Sequence, residues 1–216
     1  MVFFGWFLAF LLSGSIAAAI LSALPALRPL GLLLAYGLHA VAGLALVCTA
    51  TGLGPRTLWR TLVPDHRPRR LLQALGFLAI AVAWVLASSL LLSPFLPSGE
   101  PPQRDVVEQL TREGSALAQV VNLAVLVLLA PAFEELLFRG FLLSALHRAF
   151  GALAALVVSG AAVGLIHQQP AGLPTLTVLG LVLGLARLRT GSLLPPILMH
   201  AAWNGGVFLL MWTLVG

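Results

Sequence analysis

Long apolar runs separated by short polar breaks dominate this chain of 216 residues. Stretches of about 20 apolar residues cross a bilayer as helices, because a helix satisfies its own backbone groups where no water can. Seven such stretches are predicted, at about 2–24, 30–53, 71–93, 116–137, 152–168, 173–189 and 194–215. Turns bearing Pro or Gly separate most of them, at Pro25 to Pro29, Gly151, Pro170 to Pro174 and Gly191. The pattern predicts an all-α fold: a polytopic transmembrane helical bundle of about seven spans. The first stretch lacks the basic start of a cleaved signal peptide, although its Ala-rich end resembles a cleavage site. It is read as a retained span.

Two polar connections are longer. Segment 54–70 holds Arg56, Arg60, Arg67, Arg69 and Arg70 against Asp65, and segment 94–115 holds Glu100, Asp105, Glu108 and Glu113 against Arg104 and Arg112. Basic loops stay cytoplasmic, so 54–70 is placed inside and 94–115 outside. Alternation then puts the amino terminus in the cytoplasm, and Arg148, Arg187 and Arg189 near cytoplasmic helix ends. Composition agrees with a lipid environment: 60% of residues are hydrophobic and 9% charged, more apolar surface than a soluble domain of this size can hide. All 12 basic residues are Arg, and the pI is near 11.3. The arginines are scattered between apolar spans with no aromatic-interleaved patch, which excludes a nucleic-acid partner as the reading of that charge. Cys48 is the only cysteine, so no internal disulfide can form.

Against this background one pair stands out. Glu134 and Glu135 lie in Leu128-Leu129-Ala130-Pro131-Ala132-Phe133-Glu134-Glu135-Leu136-Leu137-Phe138-Arg139-Gly140, and they are two of only seven acids. A charge at membrane depth costs roughly 2.5–3.5 kcal/mol on insertion scales. Glu135 and Arg139 are four apart, acid first, the favourable order for an intrahelical ion pair. Glu134 points about 100° away and has no local counter-charge. A carboxylate so placed suits general acid–base work on a water molecule. Further polar groups at membrane depth are His167, and His200 with Asn204, which are four apart and share a helix face.

A chain reversal at Phe150-Gly151 brings Glu134 and His167 level, each about sixteen residues from the turn. His200 lies only about nine residues past Gly191, an offset on the order of 10 Å. A tilted or sunken last helix, begun by Pro195-Pro196, would absorb it.

Glu134-Glu135-Leu136-Leu137-Phe138-Arg139 resembles the Glu-Glu-x-x-x-Arg motif of the CPBP intramembrane proteases. These include the type II CAAX prenyl endopeptidases and the bacteriocin-processing or immunity proteins called Abi. His167 is similar to the histidine of the second motif, Phe-x-x-x-His, with Val163 at the Phe position. His200-x-x-x-Asn204 is similar to the third. The resemblance covers about residues 116–215 and divides the chain into 1–115, spans without family motifs, and 116–216, the catalytic core. It implies hydrolysis of a peptide bond in a membrane-associated or lipidated protein. Glu134 and His167 would activate water, His200 and Asn204 would steady the oxyanion, and Glu135 with Arg139 would support them. The resemblance leaves open a metal-free glutamate mechanism or a single divalent metal such as Zn²⁺ on Glu134, His167 and His200; no His-Glu-x-x-His segment is present. The Arg-, Leu-, Ala- and Gly-rich composition points to a bacterial cytoplasmic membrane.

Other readings compete. The fold could be kept by a non-enzymatic immunity or scaffold protein. A transporter using Glu134 as a proton relay is disfavoured by the lack of a repeated half. His200 and Asn204 could be interhelical hydrogen-bond glue. His39 is read as a packed polar group, His147 as interfacial, and His66 as part of a solvated loop. Gly180-x-x-x-Gly184 is read as helix packing, and the tryptophans as anchors or core.

Overall fold

A computed structural model describes residues 2–63, 72–73, 75–80, 82–83, 87, 115–167 and 172–215. Most of the predicted span 71–93, the acidic segment 94–115 and His66 lie outside them. The described residues are helical, without strands. In chain order they form α1 (Val2–Ala23), a 3₁₀ segment (Pro25–Leu30), α2 (Gly31–Thr51), α3 (Pro55–Leu62), α4 (Ala116–Ala124), a π segment (Val125–Leu129), α5 (Ala130–Glu135), a second π segment (Leu136–Leu142), α6 (Leu143–Ile166), α7 (Leu173–Thr190) and α8 (Leu194–Val215).

Four stretches among the described residues are long and apolar enough to cross a bilayer: Pro25–Thr49, Ala116–Ile166, Leu173–Thr190 and Leu194–Thr213. The expected count of seven is therefore not reached among the described residues. One reason is physical. The predicted spans 116–137 and 152–168 are continued toward each other by helix, Ala116–Ile166, broken at Gly151 and with no polar loop between them. Most of the large side chains these helices expose are apolar, as lipid contact allows; Arg28, His147, Arg148 and Arg189 are exposed as well. On α4 and the turn after it, Leu117, Val120 and Leu128 are more than 60% exposed, while Ala118, Asn122 and Val125 are buried.

The chain divides into two compact units that interleave in sequence. One comprises Met1–Thr61, Gln103–Phe133 and Asn204–Gly216; the other comprises Leu62–Pro102 and Glu134–Trp203. In the first unit, Phe208 is buried against Leu32, Leu123, Leu126 and Met211. Asn122 Nδ2 donates to the Pro29 carbonyl at 2.6 Å. His39 is the packed polar group expected: it is buried, its Nδ1 lies 3.4 Å from Ser13 Oγ, and its ring meets Phe133 edge-on.

In the second unit, the long run folds back on itself. Arg139 Nη2 reaches the Gly180 carbonyl at 2.9 Å, and the backbone of Gly160 also abuts Gly180. In a straight helix, residues 139 and 160 would stand about 30 Å apart. The reversal is at Gly151, whose φ of 81° and ψ of 176° lie outside helical geometry and favour glycine. The predicted turn is thus where the sequence placed it.

Packing of α6 on α7 depends on small residues, as in many membrane helix pairs. A Cβ built on Gly180 would lie 2.8 Å from Gly160 Cα, and one on Gly160 would lie 3.1 Å from the Thr177 carbonyl oxygen. Gly180-x-x-x-Gly184 accordingly packs within the chain. Gly180→Ala should destabilise the protein by about 1–3 kcal/mol, because backbone rather than a mobile side chain must yield. Thermal unfolding in detergent measures this, with Gly14→Ala, where the added methyl meets nothing within 4 Å, as the control. Beyond the helix pair, Leu179, Val182, Leu183, Ala186 and Met199 form the core of this unit, flanked by Trp203.

Candidate active site

Pro131 shapes the helix that carries the two glutamates. Proline offers no N–H and its ring collides with the carbonyl four residues back. The helix answers with a wide turn over Val125–Leu129, in which the Ala130 N–H bonds to the Val125 carbonyl, five residues away. A second wide turn spans Leu136–Leu142, where the Leu143 N–H bonds to the Phe138 carbonyl and Ser144 Oγ donates to the Arg139 carbonyl at 3.2 Å. Glu134 and Glu135 therefore lie on a short α-helical piece between two π turns, a feature often found at functional sites.

Glu135 and Arg139 form the expected pair. Arg139 Nη1 donates to Glu135 Oε1 at 2.8 Å, and both side chains are 0% exposed. The same unit supplies a further partner. His200 Nδ1 donates to the same Glu135 Oε1 at 2.8 Å. Its Nε2 then stands 3.8 Å from Glu134 Oε2, beyond hydrogen-bond length. Glu134 is the more open of the acids, its side chain 20% exposed. Among the described residues, Glu135 Oε2 and Arg139 Nε are buried without a partner.

The depth problem of His200 is solved by sinking the last helix. Leu193 Cδ1 lies 3.5 Å from the position of a Cβ on Gly140, and the Leu193 N–H bonds to the Leu62 carbonyl at 2.9 Å. The chain thus enters α8 beside Gly140, eleven residues before the Gly151 turn, and Pro195 and Pro196 are fully buried there. From that level, seven residues to His200 and five back to Glu135 climb nearly equal heights, about 10 and about 8 Å.

The remaining candidates are placed differently. His167 ends α6 and donates Nδ1–H to the Val163 carbonyl at 2.7 Å, the bond that fixes its tautomer and leaves Nε2 as acceptor. Among the described residues, no hydrogen bond or ion pair joins it to Glu134. Asn204, in the first unit, donates Nδ2–H to the Leu126 carbonyl at 3.0 Å. That carbonyl loses its helical partner to Pro131: Ala130 N–H goes to Val125, and residue 131 has no N–H to give.

A bound metal was tested on donor positions. Among the described residues, no three His, Cys, Asp or Glu side chains gather as a metal-holding group. Glu134, His167 and His200 do not form the ligand set that Zn²⁺ would need in this arrangement.

Sequence reasoning missed the bond between His200 and Glu135. It treated Glu135 as satisfied by Arg139, although one carboxylate oxygen can accept two donors.

The fold and the acid–histidine–arginine centre define a polytopic integral membrane protein with a polar site inside its helices. Residues 116–206 match the family model described as type II CAAX prenyl endopeptidase Rce1-like. That stretch contains every motif named above. That stretch of the chain is similar to this family, whose members act on membrane-associated protein. No curated protein and no solved structure matches the chain.

Proposed function

We propose that the protein is an endopeptidase that hydrolyses a peptide bond of a membrane-associated or lipidated protein, with residues 116–216 as the catalytic core and Glu134 as the general base. The observation that carries this reading is the position of His200, bonded to Glu135 on one side and facing Glu134 across 3.8 Å on the other. It couples the first and third motifs in a buried site. Glu134 is the carboxylate left free to act.

The Glu134 carboxylate takes a proton from water as the oxygen attacks the scissile carbonyl carbon. A water within hydrogen-bond reach of both Glu134 Oε2 and His200 Nε2 fits beside a gap of that width. His167, its tautomer set by Val163, offers Nε2 as a second acceptor for the water. His200 is the positioned donor: as an imidazolium that keeps both its protons through the step, it holds Nδ1–H on Glu135 and points Nε2–H toward the developing oxyanion. On collapse, Glu134 returns the proton to the leaving amine. The C–N bond breaks to give a carboxylic acid and an amine, which become a carboxylate and an ammonium by proton transfer, with no group oxidised or reduced. Arg139 neutralises Glu135 and ties it to the Gly180 carbonyl on α7.

Membrane proteomes from cells expressing the wild-type chain or His200→Ala test this reading. The expected result is a membrane-anchored precursor that accumulates in the variant, with its new terminus missing. Identical terminal peptides in both would sink the protease reading and favour the scaffold one. The basic segment 54–70 supports a cytoplasmic placement of that loop and of the amino terminus, and a bacterial cytoplasmic membrane suits the composition.

A further inference from the structure

We propose that α3 is an interfacial helix whose Arg56–Trp59–Arg60 face binds the headgroups of anionic phospholipids. The site is separate from the acid–histidine centre and does not depend on the protease reading.

Its place along the chain comes first. The apolar span Pro25–Thr49 ends one turn of helix before Gly52, which caps α2 in the left-handed region with φ 68°. Only Gly52, Leu53 and Gly54 separate α2 from Pro55, the first residue of α3. Three residues reach about 10 Å when extended, so α3 begins within the headgroup layer that borders the hydrocarbon.

Its faces come next. Leu58 and Leu62 are four apart, and 5% and 8% exposed. Arg56 and Arg60 are also four apart, each two residues before one of those leucines and so about 200° round the helix. Both arginines are exposed, and Trp59 beside them is 54% exposed. Neither arginine has a hydrogen bond or ion pair among the described residues, and α3 carries no acid. The helix thus presents two guanidinium groups one turn apart, with an indole next to them, at the edge of a membrane span.

The chemistry selects the partner. A guanidinium binds phosphate oxygens in a two-pronged bond that an ammonium group cannot copy. Tryptophan is enriched at the membrane–water interface, where its apolar body and its N–H are both satisfied. The whole segment 54–70 carries five Arg against one Asp, so its field attracts anionic lipid. An exposed Trp between exposed arginines has no such explanation in water.

The test uses the full chain in nanodiscs of phosphatidylcholine containing a minor fraction of phosphatidylglycerol. Native mass spectrometry counts the phosphatidylglycerol retained, and brominated acyl chains report lipid contact through the part of the emission lost in Trp59→Phe. Arg56→Gln with Arg60→Gln should weaken phosphatidylglycerol retention on the order of tenfold. Arg56→Lys with Arg60→Lys should fall between the wild type and the Gln variant, since the charge remains while the two-pronged bond is lost; this variant also guards against a folding defect. Brominated lipid should quench the Trp59 emission. Equal retention by the wild type and the double Gln variant would overturn the proposal. So would Trp59 emission untouched by brominated lipid, or soluble glycerol phosphate held as well as the lipid.

Discussion

Glu134→Gln should lower the rate of substrate cleavage by about 10²–10⁴-fold while leaving the melting temperature of the purified protein unchanged. The substitution keeps the shape of the side chain and removes only its capacity to take a proton. Among the described residues Glu134 makes no hydrogen bond whose loss would unfold the site, and its neighbouring ion-pair partner, His200 Nε2, is 3.8 Å away. The companion change has the opposite signature. Arg139→Leu leaves the fully buried Glu135 with a donor only at His200, and Glu135 Oε2 is already without a partner. Removing one member of a buried ion pair costs about 3–5 kcal/mol, so most of the folded protein should be lost. Adding Glu135→Leu to Arg139→Leu should recover much of that stability without recovering activity, because His200 then has nothing to hold Nδ1. Unfolding in detergent and cleavage by the same preparations separate the two glutamates. If Glu134→Gln unfolds the chain, or if the double leucine variant cleaves normally, the division of labour between them is wrong.

That division was visible in the sequence because it rests on helical periodicity alone. Acid-first spacing of four residues pairs Glu135 with Arg139, and the neighbouring residue is turned away from the arginine. The Gly151 reversal was legible for a similar local reason, since glycine alone tolerates φ near 81° without strain. The level of His200 was not legible. It depends on Leu193 seating against Gly140 and bonding to the Leu62 carbonyl, contacts between residues more than fifty and more than a hundred apart. No local pattern encodes how deep a helix begins. The π turns fall between these cases. Pro131, three residues before Glu134 in an apolar run, was a visible warning that the helix there could not be regular. What it did to the carbonyls upstream required coordinates.

Pro131 also supplies the sharpest test of Asn204. If the amide of Asn204 serves to satisfy the Leu126 carbonyl, its value should vanish when that carbonyl regains a backbone partner. Asn204→Ala alone strands the carbonyl in an apolar setting and should cost about 1–3 kcal/mol. Pro131→Ala restores an N–H at 131 and lets the wide turn over Val125–Leu129 tighten, so that the Ala130 N–H can return to Leu126. In that background Asn204→Ala should cost little, giving a coupling energy of about 0.5–3 kcal/mol between two residues that share one carbonyl. The oxyanion role makes a different demand. A donor to the tetrahedral intermediate should lose about 10²–10³ in kcat when removed, whichever residue stands at 131. The cycle of four proteins, measured for both unfolding and cleavage, therefore reads two roles from one side chain. Strong stability coupling with activity that recovers alongside it makes Asn204 a positioning residue that acts through the turn before Glu134. No coupling in stability, with kcat lost in both backgrounds, returns it to the oxyanion. Since Asn204 Nδ2 carries two hydrogens and only one is spent on Leu126, both effects can coexist, and the cycle then gives their separate sizes.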